Sequence, residues 1–260
     1  MYTSVAAALL VGLRSPHPWR LPHPWQHLPS PTGGTVVHVG DEIHGLSDNG
    51  TIVHVANSGA PDKPLVSHEL TGWITYAQWN NLASSPITSF STTFTVPPAP
   101  ESDHGQTVFL WNGFQPNSRP SPATILQYGP SDAGGGSFWS VASWYIVGNS
   151  VFYTNPAPVN PGDVLTGIMT LVQNGTAYNY NAQFVGIPES AVDVVGTEPL
   201  GFATITLEGY SVTGPSHYPI GSTVFSNTSV ELGGGVIPEV SWAHVNDAAD
   251  GITTTINSVG

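Results

Sequence analysis

Short segments of alternating or continuous apolar residues, each closed by Gly or Pro, recur along this chain roughly every 8 to 15 residues, leaving almost no room for helix. The stretch 87–96 sets the type. Phe90, Phe94 and Val96 fall on one face and Ser89, Ser91, Thr93 and Thr95 on the other, and Pro97-Pro98 ends the run. Segments 107–111, 123–128, 137–147, 202–210, 222–230 and 252–256 read the same way, and 164–173 and 177–185 flank an Asn174-Gly175 turn that predicts a hairpin. Two near copies, Gly34-Thr-Val-Val-His-Val and Gly50-Thr-Ile-Val-His-Val, predict a second hairpin through Asp48-Asn49-Gly50. Only 78–84 and 247–250 could offer a helical turn, so the class is all-β, a sandwich or barrel.

Two regions differ. Val5 to Leu13 has the length of a secretion-signal core, and residues 14–34 carry the repeat Pro16-His-Pro-Trp19 and Pro22-His-Pro-Trp25 in a proline-dense stretch. Residues 1–34 therefore read as a signal-like segment and a tail or pro-segment, and 35–260 as a single β domain. Residues 35–69 read either as an extra hairpin packed on the domain or as a pro-segment over its cleft.

Charge removes whole classes of function. Four Lys and Arg against seventeen Asp and Glu, net −13, leave nothing to neutralise phosphates, so neither nucleic acid nor a membrane surface is an expected partner. With no cysteine there is no disulfide, thiolate metal site or Cys nucleophile. No Gly-x-Ser-x-Gly elbow occurs, and the triplets Gly134–Gly136 and Gly233–Gly235 lack the Lys of a phosphate loop. No metal or cofactor is expected. Three sequons, at Asn49, Asn174 and Asn227, agree with a secreted, extracellular glycoprotein, and a monomer is expected.

Carboxylates, amides and aromatics remain to carry chemistry. Alternation in 202–210 puts Phe202, Thr204, Thr206, Glu208 and Tyr210 on one face, so Glu208 either lines a concave sheet or faces solvent at a strand end. Gln127 is a lone amide in an apolar strand. Trp139, Trp144 and Tyr145 share one strand, with Trp139 and Tyr145 on the same face, and serve either as core or as a substrate platform.

Trp111-Asn-Gly113, Ala123-Thr-Ile-Leu-Gln127-Tyr-Gly129, Ser143-Trp144-Tyr145 and Pro161-Gly-Asp-Val164 follow one another in the order seen in the fungal glutamic peptidases, the eqolisins (peptidase G1), which the chain resembles from about Trp73 to Leu232. The resemblance implies a concanavalin A-like antiparallel β-sandwich of two large stacked sheets and a secreted acid endopeptidase that activates water with a Gln and a Glu. Gln127 takes the catalytic Gln position. The family's A-E-x-x-x-E run maps onto Ala203-Thr204-Ile-Thr-Leu-Glu208, so Thr204 stands at its first Glu and Glu208 at its second. A shifted register brings in Glu198 instead. Gln115 and Ser143 stand where the family has acids. The catalytic candidates are thus Gln127 with Glu208 or Glu198 as general base and later acid. Trp111, Gln115, Trp139, Trp144 and Tyr145 are the substrate-binding candidates, and a polypeptide is the substrate. The alternative is a carbohydrate-active protein, glycosidase or lectin, stacking a polysaccharide on the same Trp and Tyr residues; a non-catalytic wall-associated protein is the third reading.

Overall fold

The computed structural model describes residues 5–11, 26–27, 34–57, 72–114, 121–147, 150–246 and 252–258. Two stacked sheets make up the fold. One has ten strands in the order β19 (Ile252–Ser258), β1 (Val5–Val11), β17 (Val224–Leu232), β7 (Ile87–Thr95), β13 (Val164–Gln173), β14 (Tyr178–Phe184), β15 (Ile187–Thr197), β3 (Thr35–Val39), β4 (Glu42–Leu46) and β5 (Ile52–Asn57). The other runs β18 (Ala243–Asn246), β6 (Trp73–Asn80), β16 (Phe202–Tyr210), β8 (Thr107–Gly113), β9 (Ser121–Ser131), β10 (Gly134–Val147), β11 (Ser150–Tyr153) and β2 (Gln26–His27), with β12 (Ala157–Pro158) against β10. Neighbours are antiparallel except at β15–β3 and β11–β2. The expected all-β antiparallel sandwich is what forms.

Alternation explains the layers. In β7, Phe90, Thr92 and Phe94 point inward and are sealed from solvent, while the Ser and Thr between them stay partly exposed. Their rings meet Phe114, Phe184 and Phe225, and the opposing sheet contributes Leu110, Leu126, Val141 and Tyr145. At about 1.5 to 3 kcal/mol for each fully buried large apolar side chain, this layer supplies most of the drive to fold. Every residue of β8 is buried because both of its faces are covered. Val108, Leu110 and Asn112 face the other sheet, whereas Phe109 and Trp111 join a second apolar cluster on the outer side with Ile125, Trp144 and Tyr153. A polar bridge crosses the core beside β8. Thr124 donates to Asn112 Oδ1 at 2.6 Å, and Asn112 Nδ2 donates to the Gly167 carbonyl of the opposite sheet at 3.3 Å. A Cβ on Gly167 would overlap both side chains, so the sheets approach this closely only over a glycine.

Several strands differ from the sequence expectation. The near copies β3 and β5 do not pair with each other; β4 lies between them, and the Asp48-Asn49-Gly50 turn joins β4 to β5. Glu42-Ile-His-Gly-Leu46 has weak strand character, but its Gly45 lets the Phe152 ring of the other sheet approach to 3.2 Å from where a Cβ would stand. Of the two readings for residues 35–69, the described part is thus a meander at the edge of the ten-stranded sheet. Residues 78–80 end strand β6 rather than opening a helical turn, and 247–250 lie outside the described residues. Within the segment read as a secretion-signal core, Val5–Val11 pairs with β17 and β19.

Candidate active site

Strand β16 carries the acid of interest. Ala203, Ile205 and Leu207 enter the inter-sheet core, which turns Thr204, Thr206, Glu208 and Tyr210 to the outer face. The cross-strand register then sets the neighbours. Glu208 lies opposite Trp73 of β6 and Phe109 of β8, Phe109 lies opposite Gln127 of β9, and Gln127 opposite Ser140 of β10. Directly opposed residues share a face, so Trp73, Glu208, Phe109, Gln127 and Ser140 form one row. Glu208 and Gln127 are two strands apart in it, about 10 Å between backbones.

The Glu208 carboxyl is held by two neutral donors. Trp111 Nε1–H donates to Oε2 at 3.1 Å, and the Tyr210 hydroxyl donates to Oε1. Trp73 stands edge-on to Trp111 with centroids 5.2 Å apart, and Phe109 edge-on to Tyr210 at 6.1 Å. Glu208, Trp73 and Tyr210 each keep part of their surface open, whereas Phe109, Trp111 and Trp144 are buried. Burial among these rings pushes the Glu208 pKa up to about 7; the Tyr210 and Trp111 hydrogen bonds, which favour the anion, only temper the rise. Among the described residues no charged neighbour contributes to this shift. A carboxyl in this setting is neutral in mild acid and can give up or take back a proton near neutrality.

Gln127 is differently placed from what the resemblance implies. It is buried, and both polar atoms of its amide are engaged: Nε2 donates to the Gly129 and Gly134 carbonyls, both at 2.8 Å, and Oε1 accepts the Ser131 hydroxyl at 2.8 Å. The amide ties together the β9–β10 hairpin just before the register shift between Gly136 and Trp139. Only the second lone pair of Oε1 is left for a water, and both N–H donors are committed.

The remaining candidates divide by sheet face. Trp111 and Trp144 stand on the outer face with Glu208, Trp144 packing on Phe109 and Tyr153 at 5.6 and 5.4 Å. Trp139 and Tyr145 take the core alternative; Tyr145 is hydrogen-bonded to His38 Nε2 at 2.6 Å and to Thr197. Thr204 is buried and donates to the Ala77 carbonyl. Ser143 is buried, and its backbone N–H donates to Thr154 Oγ1. Glu198 is exposed just past the end of β15, where its charge acts on His38 and Tyr145, not on Glu208. Gln115 lies outside the described residues. Trp73 and Tyr210 complete the site. Tyr210 was marked by its i, i+2 relation to Glu208, but Trp73 carried no sequence signal, since β6 is buried on both faces and shows no alternation. No group of three or more metal-ligating side chains occurs among the described residues.

The molecule is thus a β-sandwich with a lone, aromatic-walled carboxyl on the outer face of one sheet. No family model and no curated protein matches the chain. Among solved structures it is similar to scytalido-glutamic peptidase bound to a peptide-based transition-state analogue, at 14% identity and TM-score 0.42, over 68% of this chain and 90% of that one. It is similar also to SCP-B, an eqolisin in complex with the tripeptide Ala-Ile-His, at 12% and 0.36, over 73% and 98%. The carbohydrate-binding module CBM66 from Bacillus subtilis aligns at 9% and 0.31, over 61% and 83%.

Proposed function

We propose that the protein is a secreted hydrolase of the glutamic-peptidase kind that works in acid on polypeptides, with Glu208 as its proton-transfer group. The observation that carries this reading is the Glu208 carboxyl itself, gripped by Trp111 and Tyr210 and walled by rings. The peptide substrate rests on the motif order running from Trp111 through Gln127 to Val164. Exposure of Asn49, Asn174 and Asn227 supports secretion through a glycosylating route.

A carboxyl that titrates near 7 enters an acid reaction protonated, so Glu208 acts first as acid and only then as base, the reverse of the order inferred from sequence. Protonated Glu208 gives its proton to the scissile amide as water adds to the carbonyl carbon. The carboxylate left behind takes the proton the added water releases. The C–N bond breaks, one water is consumed, and Glu208 ends protonated as it began. Gln127 then acts as a positioning residue for the β9–β10 hairpin rather than as a ligand of the water. The pH profile tests the order: kcat/KM on an unstructured peptide holds below about pH 6 and falls as pH rises through 7. A rate that instead rises through 7 would mean that the anion is the working form and overturn the acid-first role.

A glycan substrate is the second reading, favoured by the partly open Trp73 indole beside Glu208. A panel of β-glucans and chitin in the same assay separates the two.

A further inference from the structure

Two loops meet at the end of the sheet that bears Glu208: residues 101–106, before β8, and residues 211–217, directly after β16. Paired serines and one glutamine join them. Ser102 donates through its hydroxyl to Ser216 Oγ at 2.7 Å and through its N–H to the Ser216 carbonyl at 3.1 Å. Buried Gln106 accepts the His104 N–H at 2.8 Å and donates to the carbonyls of Ser102 at 2.6 Å and His217 at 3.4 Å. At the centre the His104 and His217 rings lie over each other, centroids 4.8 Å apart and planes at 36°. His217, buried, closes a short 3-10 turn, Pro215–His217, and its Nδ1 accepts the Thr213 N–H at 3.2 Å.

We propose that the stacked His104–His217 pair is an acid-released latch: with both rings neutral it clamps residues 211–217 onto residues 101–106, and protonation of His217 frees that segment while the two sheets stay folded. The chemistry is direct. A ring nitrogen that accepts a backbone N–H carries no proton, so protonating Nδ1 sets a donor against a donor and breaks the bond to Thr213. A second cation on His104, in ring contact, adds repulsion. Asp103 opposes this: its carboxylate, fixed by the Gly105 N–H and the Ser137 hydroxyl, attracts the His217 cation, as does the carbonyl of Ser211. Burial first and His104 second outweigh both and hold His217 below its ordinary value. The Tyr128 phenol of β9 also feels Asp103.

Two features make residues 211–217 the part that moves. Ser211 sits at φ 55°, a left-handed conformation unfavourable for a residue other than glycine, and is released when the latch opens. Val212 reaches to 3.1 Å from where a Cβ on Gly209 would stand, so the loop is folded back on the strand next to Glu208. Acidification therefore loosens the boundary of the Glu208 site without needing any catalytic role for that residue.

Amide hydrogen exchange on the intact protein, corrected for intrinsic rates, tests the latch. From pH 7.5 to about 5, protection of the Thr213 amide drops about tenfold or more, while amides of 108–112 in β8 change less than about twofold. His217→Asn puts a non-titrating oxygen near the Nδ1 position and keeps Thr213 protection flat over the same range. His104→Gln removes the ring that helps hold His217 down and so moves the wild-type transition to higher pH. Constant Thr213 protection in the wild type, or an equal drop in His217→Asn, overturns the proposal; should that variant not fold, an unmoved transition in His104→Gln overturns it instead.

Discussion

Replacing Glu208 by Gln should change how stability depends on pH, by an amount set by the site. Folding raises this carboxyl from an ordinary 4.5 to about 7. A carboxyl with a raised folded pKa favours the folded state fully below its unfolded pKa, and that advantage drains away as pH climbs through the folded one. Between pH 4 and pH 8 the wild type should therefore lose about 3 kcal/mol through this group alone, at about 1.4 kcal/mol per unit. Glutamine cannot ionise; its one oxygen accepts from Trp111 and its N–H donates to the Tyr210 hydroxyl, as the protonated carboxyl does with its O–H. Glu208→Gln should match the wild type at pH 4 and exceed it by about 3 kcal/mol at pH 8, roughly 6 to 12 °C in Tm for a domain of this size. Other groups titrate in the same range. His38, His54 and His217 are lowered by burial, so their contribution runs the opposite way, being lost as pH falls below about 6.5. The difference between variant and wild type cancels them. Urea melts at five pH values from 4 to 8 provide the assay, and parallel curves would refute the burial argument for Glu208.

Four further outcomes follow from the geometry. Tyr210→Phe removes a donor that favours the Glu208 anion, so the carboxyl should titrate at higher pH than in the wild type, read from its infrared C=O band. Gln127→Ala strands the buried Gly129 carbonyl and should cost about 1 to 3 kcal/mol in urea melts, whereas a purely catalytic amide would leave stability unchanged. Gly167→Ala forces a methyl into Thr124 and Asn112 and should destabilise by about 3 kcal/mol or more; a loss under 1 would show that the sheets can part at little cost. Among the described residues the acid-side loss at His38, His54 and His217 is opposed by the gain at Glu208, and Asp103, an exposed carboxylate held below its ordinary value, adds little, so a cooperative unfolding midpoint below about pH 4 is expected by circular dichroism.

The sequence announced β16 clearly, because Ala203, Ile205 and Leu207 alternate with Thr204, Thr206 and Glu208, and it announced the β13–β14 hairpin through Asn174-Gly175. Strands β4, β6 and β15 were illegible for three different reasons. Glu42–Leu46 contains a glycine and a charge, Trp73–Asn80 is apolar on both faces, and Ile187–Thr197 opens with Pro188 and Glu189. Each is a strand because its neighbours offer hydrogen bonds, and a local pattern carries no record of that. The same limit applied at the site. Period-two alternation put Trp139 and Tyr145 on one face, but which face was core depended on the opposing sheet. Gln127 stood out as an amide among apolar residues, yet its saturation comes from Ser131 and Gly134, brought round by the hairpin. Glu198 and Glu208 looked interchangeable along the chain, and only the fold separates them, one exposed beyond a strand end and the other among aromatic rings.

The role given to Glu208 is tested most directly by cleavage of an unfolded protein substrate at pH 3 to 5 with pepstatin present, comparing the wild type with Glu208→Gln. The account predicts pepstatin-insensitive cleavage that falls about 100-fold or more in the variant, with equal melting temperatures at pH 4. Cleavage by Glu208→Gln within about twofold of the wild type would contradict it, as would a folded wild type that cuts no protein substrate.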